Sequence, residues 1–157
     1  MAIRITTPDY RALAELRYRI RHFLSASDDA ARRVGLEPHQ YLLLLAIRGL
    51  PRGADPTVRV LAERLGLRHN STVELINRLE ARGYVHRKRD VEDRRHVFIL
   101  LRQAGEKLLE RVARQRITEV RAGGAELVQA MTAVLGYIKM PPKTSKKRGT
   151  RQTVKTF

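Results

Sequence analysis

The chain has 157 residues, a length suited to one domain, or to one domain with appendages. Lys plus Arg is 32 against 16 Asp plus Glu, a formal net charge of +16, and that balance leaves nucleic acid, an anionic membrane surface or an acidic protein as partner classes. Hydrophobic residues make up 43% of the chain, which excludes global disorder, and the lack of cysteine excludes disulfides, thiolate zinc sites, Fe–S clusters and cysteine nucleophiles.

The longest apolar run, Tyr41 to Ile47, falls far short of the ~20 residues of a membrane span. Arg4 and Asp9 break up the N-terminal stretch, which therefore lacks a signal-peptide apolar region. The expectation is a soluble, cytoplasmic, basic globular protein. Its charge is unevenly spread. Residues 139–157 hold seven basic residues and no acid, with Pro141 and Pro142 at the break, and read as a basic disordered tail. Such a tail is either a solvated extension or a nonspecific phosphate contact, and the sequence leaves both open.

Residues 8–30 read as a first helix, capped by Thr7 with Pro8 at the first helical position. Leu13, Leu16, Ile20, Phe23 and Leu24 recur at helical spacing, while Arg11, Arg17, Arg19 and Arg21 make the other face basic. A second helix runs from Pro38 to about Arg48. Leu42 to Ile47 is apolar nearly all round, which predicts a central position. Gly49 to Pro56 is a loop by its Gly and Pro content.

Thr57 then caps a short helix with Val58, Leu61, Ala62 and Leu65 on one face, and Gly66 suits the position just past its end. Ser71-Thr72-Val73-Glu74 has the spacing of a capping box opening the next helix. Thr72, Leu75, Ile76 and Leu79 form its apolar face, and Gly83 ends it. Two short amphipathic helices joined by a tight turn are a helix-turn-helix. The opposite face of the second helix carries Asn70, Ser71, Val73, Glu74, Asn77, Arg78 and Ala81. Asn, Arg and Glu can bond base edges and a small apolar group can meet a thymine methyl. Arg68 and His69, just before this helix, are placed for phosphate contacts.

Tyr84 to Arg89 and His96 to Leu101 alternate as strands around the polar turn Asp90 to Arg95. This hairpin is a wing, and Arg87, Lys88, Arg89, Arg94 and Arg95 make it basic. An Arg on such a loop suits the narrow minor groove, where negative potential concentrates. Asp93, two before Arg95, is spaced to orient that guanidinium. Residues 103–121 form a further helix, Gly123-Gly124 interrupts it, and a last helix carrying Leu127, Val128, Met131, Val134, Leu135 and Ile138 runs to about Lys139. The terminal helices, about 8–30 and 103–138, hold more apolar surface than a small winged lobe at about 57–101 needs. A second copy of the chain is the simplest cover for it. The fold class is mainly α with a small β-wing: a winged helix-turn-helix domain over 1–138 with N- and C-terminal dimerisation helices.

Over roughly residues 8–138 this arrangement resembles the MarR family, the multiple antibiotic resistance regulators. The resemblance is carried by Leu61-Ala62, Leu65-Gly66, Ser71-Thr72-Val73, Arg78 to Val85, Arg87, Asp93-Arg94-Arg95, and Gly105 before Leu108-Leu109. It implies a homodimeric transcription regulator, most often a repressor, that binds a palindromic operator and releases it when a small anionic or phenolic effector binds. Arg102 stands where the family usually has a capping Thr, and the missing cysteine excludes the family's redox branch. The implied complex sets two recognition helices ~34–36 Å apart in successive major grooves. Arg94 and Arg95 would enter flanking minor grooves, and Arg68, Arg87 and Lys88 would bind phosphates. Arg17, Tyr18, Arg21 and His22 on the first helix are the candidates for an effector cleft.

Rival readings are weaker. The phosphate-loop, zincin and nucleophile-elbow motifs are absent, and the five histidines, His22, His39, His69, His86 and His96, have no metal-ligand spacing, so neither catalysis nor a metal or other cofactor is expected. A basic architectural binder without sequence preference is the main alternative, and competition with nonspecific DNA separates it from a regulator. Aromatic content of 5% gives little support to stacking on single strands. A winged module for protein partners is a third reading.

Overall fold

The computed structural model describes residues 5–93 and 95–136. Seven elements follow in chain order: α1 (Thr7–Arg33), α2 (Pro38–Arg48), α3 (Val58–Leu65), α4 (His69–Ala81), β1 (Val85–Arg89), β2 (Val97–Leu101) and α5 (Gln103–Leu135). The expected class, mainly helical with one small β-hairpin between helices, is what the chain adopts.

α2 is the hub. Its Tyr41, Leu43 and Leu44 are buried, and they meet Ala30 and Ala31 of α1, Leu61 of α3, Leu75, Ile76 and Leu79 of α4, Val85 and Ile99 of the hairpin, and Leu109 and Val112 of α5 in one core. The apolar run at Leu42 to Ile47 thus reflects a helix surrounded on most sides, with Leu42 and Leu45 left at 40% exposure. The hairpin is antiparallel, with Val85 opposite Leu101 and Arg87 opposite Ile99. Period-two alternation buries Val85 and Ile99 and turns the neighbouring side chains outward. Loop 49–56 is tied to the sheet where the Ile99 amide donates to the Pro56 carbonyl at 2.8 Å.

The helix ends show how local chemistry sets boundaries. Thr6, not Thr7, is the N-cap of α1: its hydroxyl and amide both donate to the Asp9 carboxylate, at 2.7 and 2.8 Å. The cap shifts by one because Asp9 must stand three residues after it to close the reciprocal box. α1 also continues three residues past the expected end at residue 30. α3 follows expectation, with the Thr57 hydroxyl accepting from the Val60 amide and Gly66 at φ +65°.

α4 departs from expectation. It starts at His69 with Arg68 as N-cap, so Ser71-Thr72-Val73-Glu74 lies inside the helix and no capping box forms there. Thr72 is instead fully buried, and its hydroxyl donates to the Arg68 carbonyl at 3.1 Å. At the other end Gly83 has φ +73°, and the Tyr84 amide donates to Leu79 O while that of Gly83 donates to Glu80 O. This pair of bonds closes α4 and aims the chain into β1.

The expected interruption at Gly123-Gly124 does not occur, and α5 is one helix from Gln103 to Leu135. Two glycines cost about 2 kcal/mol of helix propensity, whereas a break needs a second nucleation and sacrifices packing against α1. The helix closes at Gly136, φ +66°; Ile138, Lys139 and the 139–157 tail lie outside the described residues. Arg102 caps α5 without a side-chain bond, as its substitution for a hydroxyl residue implies.

Arg82, at the end of α4, rivets the lobe together. Its guanidinium donates to Gln40 Oε1 at 3.0 Å and to Gly35 O at 2.9 Å, and stacks 4.9 Å from the centroid of the Tyr84 ring. Arg82→Ala is therefore expected to lower stability by about 1–2 kcal/mol, since two neutral acceptors lose a charged donor. Thermal unfolding at fixed protein concentration checks this, and an unchanged midpoint would contradict it.

Candidate nucleic-acid interface

One side of α4 is spent on the core and the other is left to solvent. Thr72, Leu75, Ile76 and Leu79 are buried; His69, Asn70, Ser71, Glu74, Asn77, Arg78 and Ala81 are exposed, and Val73 is half-buried. Arg68 and His69 were expected ahead of the helix; Arg68 is its N-cap and His69 lies in its first turn. Glu74 and Arg78 share a shallow groove with Ser71, Leu67, Leu75 and His39 of α2. Arg78, in the last turn, also complements the negative end of the helix dipole.

The wing stands beside this face. Lys88 and Arg89 are exposed on β1, whereas Arg87 turns back to α4, where its guanidinium ion-pairs with Glu80 and donates to Asn77 Oδ1 at 2.7 Å. At the wing tip Asp93 holds Arg95 three ways. The Arg95 amide donates to Oδ1 at 3.0 Å, its Nε to Oδ1 at 3.1 Å and its Nη2 to Oδ2 at 3.2 Å. The Arg95 side chain is nonetheless 90% exposed, so the carboxylate fixes one edge of the guanidinium and leaves the rest free. These same bonds hold the Asp93 carboxyl below its ordinary pKa. Arg94 lies outside the described residues.

The four effector candidates are spread along α1. Arg17, Tyr18, Arg21 and His22 are all exposed, and the Tyr18 and His22 rings pack 4.3 Å apart. Of the four, His22 lines a cleft of about 200 Å³ between α1 and α5, alongside Arg19, Phe23, Arg116 and Glu126. Arg19 bridges Glu15 and Glu126 there, joining α1 to the far half of α5. Arg116 is 7% exposed; it ion-pairs with Glu119, donates to Phe23 O at 3.2 Å and sits 5.1 Å from the Phe23 ring centroid. An arginine so placed carries no local signal: its neighbours Arg114 and Gln115 are solvated, and only the helix pairing buries it. Among the described residues no group of three or more His, Asp or Glu is placed to hold a metal ion, and no helix is long and apolar enough to cross a membrane.

The family model described as the MarR family matches residues 34–96, from the end of α1 to the wing tip. This segment of the chain is similar to the MarR family. Solved structures of similar shape show the same fold. A MarR family transcription regulator superposes with a TM-score of 0.66 at 17% identity, covering 81% of this chain and 85% of that one. CouR from Rhodococcus jostii, solved with p-coumaroyl-CoA, gives 0.53 at 25% identity, covering 79% and 78%. A MepR variant from S. aureus, solved bound to an oligodeoxyribonucleotide, gives 0.59 at 20% identity, covering 85% and 95%. No curated protein sequence matches the chain. The matched segment holds the helix-turn-helix and the wing as far as His96. The long helices that flank it make up most of the remaining described residues.

Proposed function

We propose that this protein is a MarR-family transcription regulator, binding double-stranded DNA sequence-specifically and acting as a homodimer on a palindromic operator. The observation that carries this reading is the pairing of an exposed α4 face of base-reading side chains with a basic wing whose Arg95 is held by Asp93. Asn70, Ser71, Val73, Glu74, Asn77 and Arg78 would face a major groove, Arg68, His69 and Lys88 would bind phosphates, and Arg95 with Arg94 would enter the minor groove. A DNA partner places the protein in the cytoplasm, on the nucleoid.

Support for the dimer is the apolar surface left bare on α1 and α5: Tyr10, Leu13, Leu24, Ile117, Val128 and Leu135 are each half or more exposed. A single chain gains nothing by leaving so many large side chains in water, and a twofold partner would cover them. Repression relieved by an anionic or phenolic effector is the regulatory mode we propose, with Arg17, Tyr18, Arg21 and His22 as its contacts. A ligand that binds one lobe separation better than another is enough to release DNA.

The test is selection of duplexes from a random pool by the purified protein, followed by titration of the enriched site against nonspecific DNA. A palindromic site bound at least about a thousandfold more tightly than random duplex is the expected result. Affinity should fall steeply as salt rises, because each phosphate contact releases condensed counterions. Equal affinity for all duplexes would instead establish the architectural reading.

A further inference from the structure

Asn77 and Glu80 stand three residues apart on α4, so their side chains share a face. Arg87 lies two residues after Val85 on β1 and therefore on the same side of the ribbon. Val85 is fully buried, and Arg87, opposite the buried Ile99, extends from the edge of the core to the polar side of α4. There the Arg87 amide donates to Glu80 Oε1 at 3.1 Å, one guanidinium nitrogen ion-pairs with Glu80 Oε2, and Nη2 donates to Asn77 Oδ1 at 2.7 Å.

A guanidinium has donors only, so the Asn77 atom that faces Arg87 must be its oxygen. The amide orientation is thus dictated by chemistry, and Nδ2 is turned away from the wing. A bidentate bond to adenine needs both amide atoms along one base edge. In this arrangement the oxygen faces Arg87, with one lone pair held by a charged donor, and the NH2 is the group turned toward the free side of α4. Arg87, for its part, has its charge matched by Glu80, with the two side chains 32% and 33% exposed, and so is poorly placed to serve as a free phosphate contact.

The geometry points to Asn77 as a donor-only reader of a major-groove acceptor, guanine O6 or N7, adenine N7 or thymine O4, with Arg87 as the residue that positions it and Glu80 as the anchor of Arg87. This inference deepens the proposed DNA-binding function and rests on it. It makes Arg87 a determinant of base choice although Arg87 touches no base.

Duplex selection with the full-length protein and four variants tests it. The wild type is expected to disfavour C at one symmetric position, by about fivefold as a single hydrogen bond allows, with little choice among G, A and T. Asn77→Ala and Arg87→Ala should both flatten that position and leave the other positions of the site unchanged. Arg87→Lys keeps the charge opposite Glu80 but loses the forked donor, so it should flatten the same position; it also guards against a folding defect in Arg87→Ala. Lys88→Ala should keep the full preference and weaken binding evenly across sequences. Retention of the wild-type preference by both Arg87 variants would overturn the positioning role, and strict adenine at the position lost in Asn77→Ala would overturn the donor-only assignment. A wild type that enriches no sequence would instead refute the proposed function itself.

Discussion

Gly105→Ala is expected to destabilise the protein by about 2 kcal/mol, a loss at the upper end for one added methyl. A Cβ built at Gly105 would lie 2.2 Å from the Tyr84 carbonyl oxygen and 3.0 Å from its carbon. That oxygen cannot swing aside as a flexible side chain would. It belongs to the residue that closes the Schellman turn of α4, and it accepts the Arg102 amide at 2.9 Å where α5 begins. Relief therefore requires α5 to move off the lobe, opening the contacts of Leu109 and Val112 with the core. Ala is a better helix former than Gly by about 1 kcal/mol, and this gain offsets part of the clash but not all of it. The same substitution at Gly123 should have the opposite sign. Nothing lies within 4 Å of a Cβ there, so only the propensity gain operates, and stability should rise by about 0.5–1 kcal/mol. Thermal unfolding at matched protein concentration reads both. For a chain of this size 2 kcal/mol lowers the midpoint by about 4–8 °C. Equal shifts at the two positions would show that helix propensity alone governs both.

The two glycines also mark where sequence reading succeeds and where it stops. Periodicity located α2, α3, the buried face of α4 and both strands because those segments each bury one face or nearly all of themselves, and burial is what periodicity reports. Cap chemistry was less reliable. Ser71 to Glu74 has the right spacing for a capping box, but the turn after Gly66 is short and half-buried Leu67 packs against the core, so the chain is already helical at His69. Gly123-Gly124 reads locally as a break, and packing along α1 overrides it. Ion pairs within a few residues, such as Asp93 with Arg95, are visible as spacing. Pairs that depend on how elements meet are not: Arg87 reads as one more cation of a basic run until β1 brings it to Glu80 and Asn77. Arg116 reads as another solvated arginine until α1 closes over it.

Arg95→Ala is expected to weaken binding to the selected operator by at least tenfold, with the fold of the lobe unchanged. The Arg95 side chain is 90% exposed, so its removal costs little packing. Asp93 gives the sharper test. A loose arginine must give up rotamer freedom to enter a groove, whereas one held at its Nε and Nη2 edge has surrendered part of that freedom beforehand. Asp93→Ala removes a negative charge from the DNA-facing wing, so bulk electrostatics predicts tighter binding. Preorganisation predicts the reverse, a several-fold loss on the operator with nonspecific affinity unchanged or slightly raised. The two effects differ in reach, since screening weakens the charge effect beyond ~8 Å at physiological salt while the hydrogen bonds are local and fixed. The sign with pH follows from the lowered pKa of Asp93. The carboxylate stays ionised down through the usual carboxylate range, so the clamp is intact at neutral and mildly acidic pH and is lost only as pH falls through that lowered value. Anisotropy titrations at one fixed salt concentration separate these effects. An Asp93→Ala protein that binds its operator more tightly than the wild type would show that the pair is a mere charge balance and that Arg95 needs no orientation.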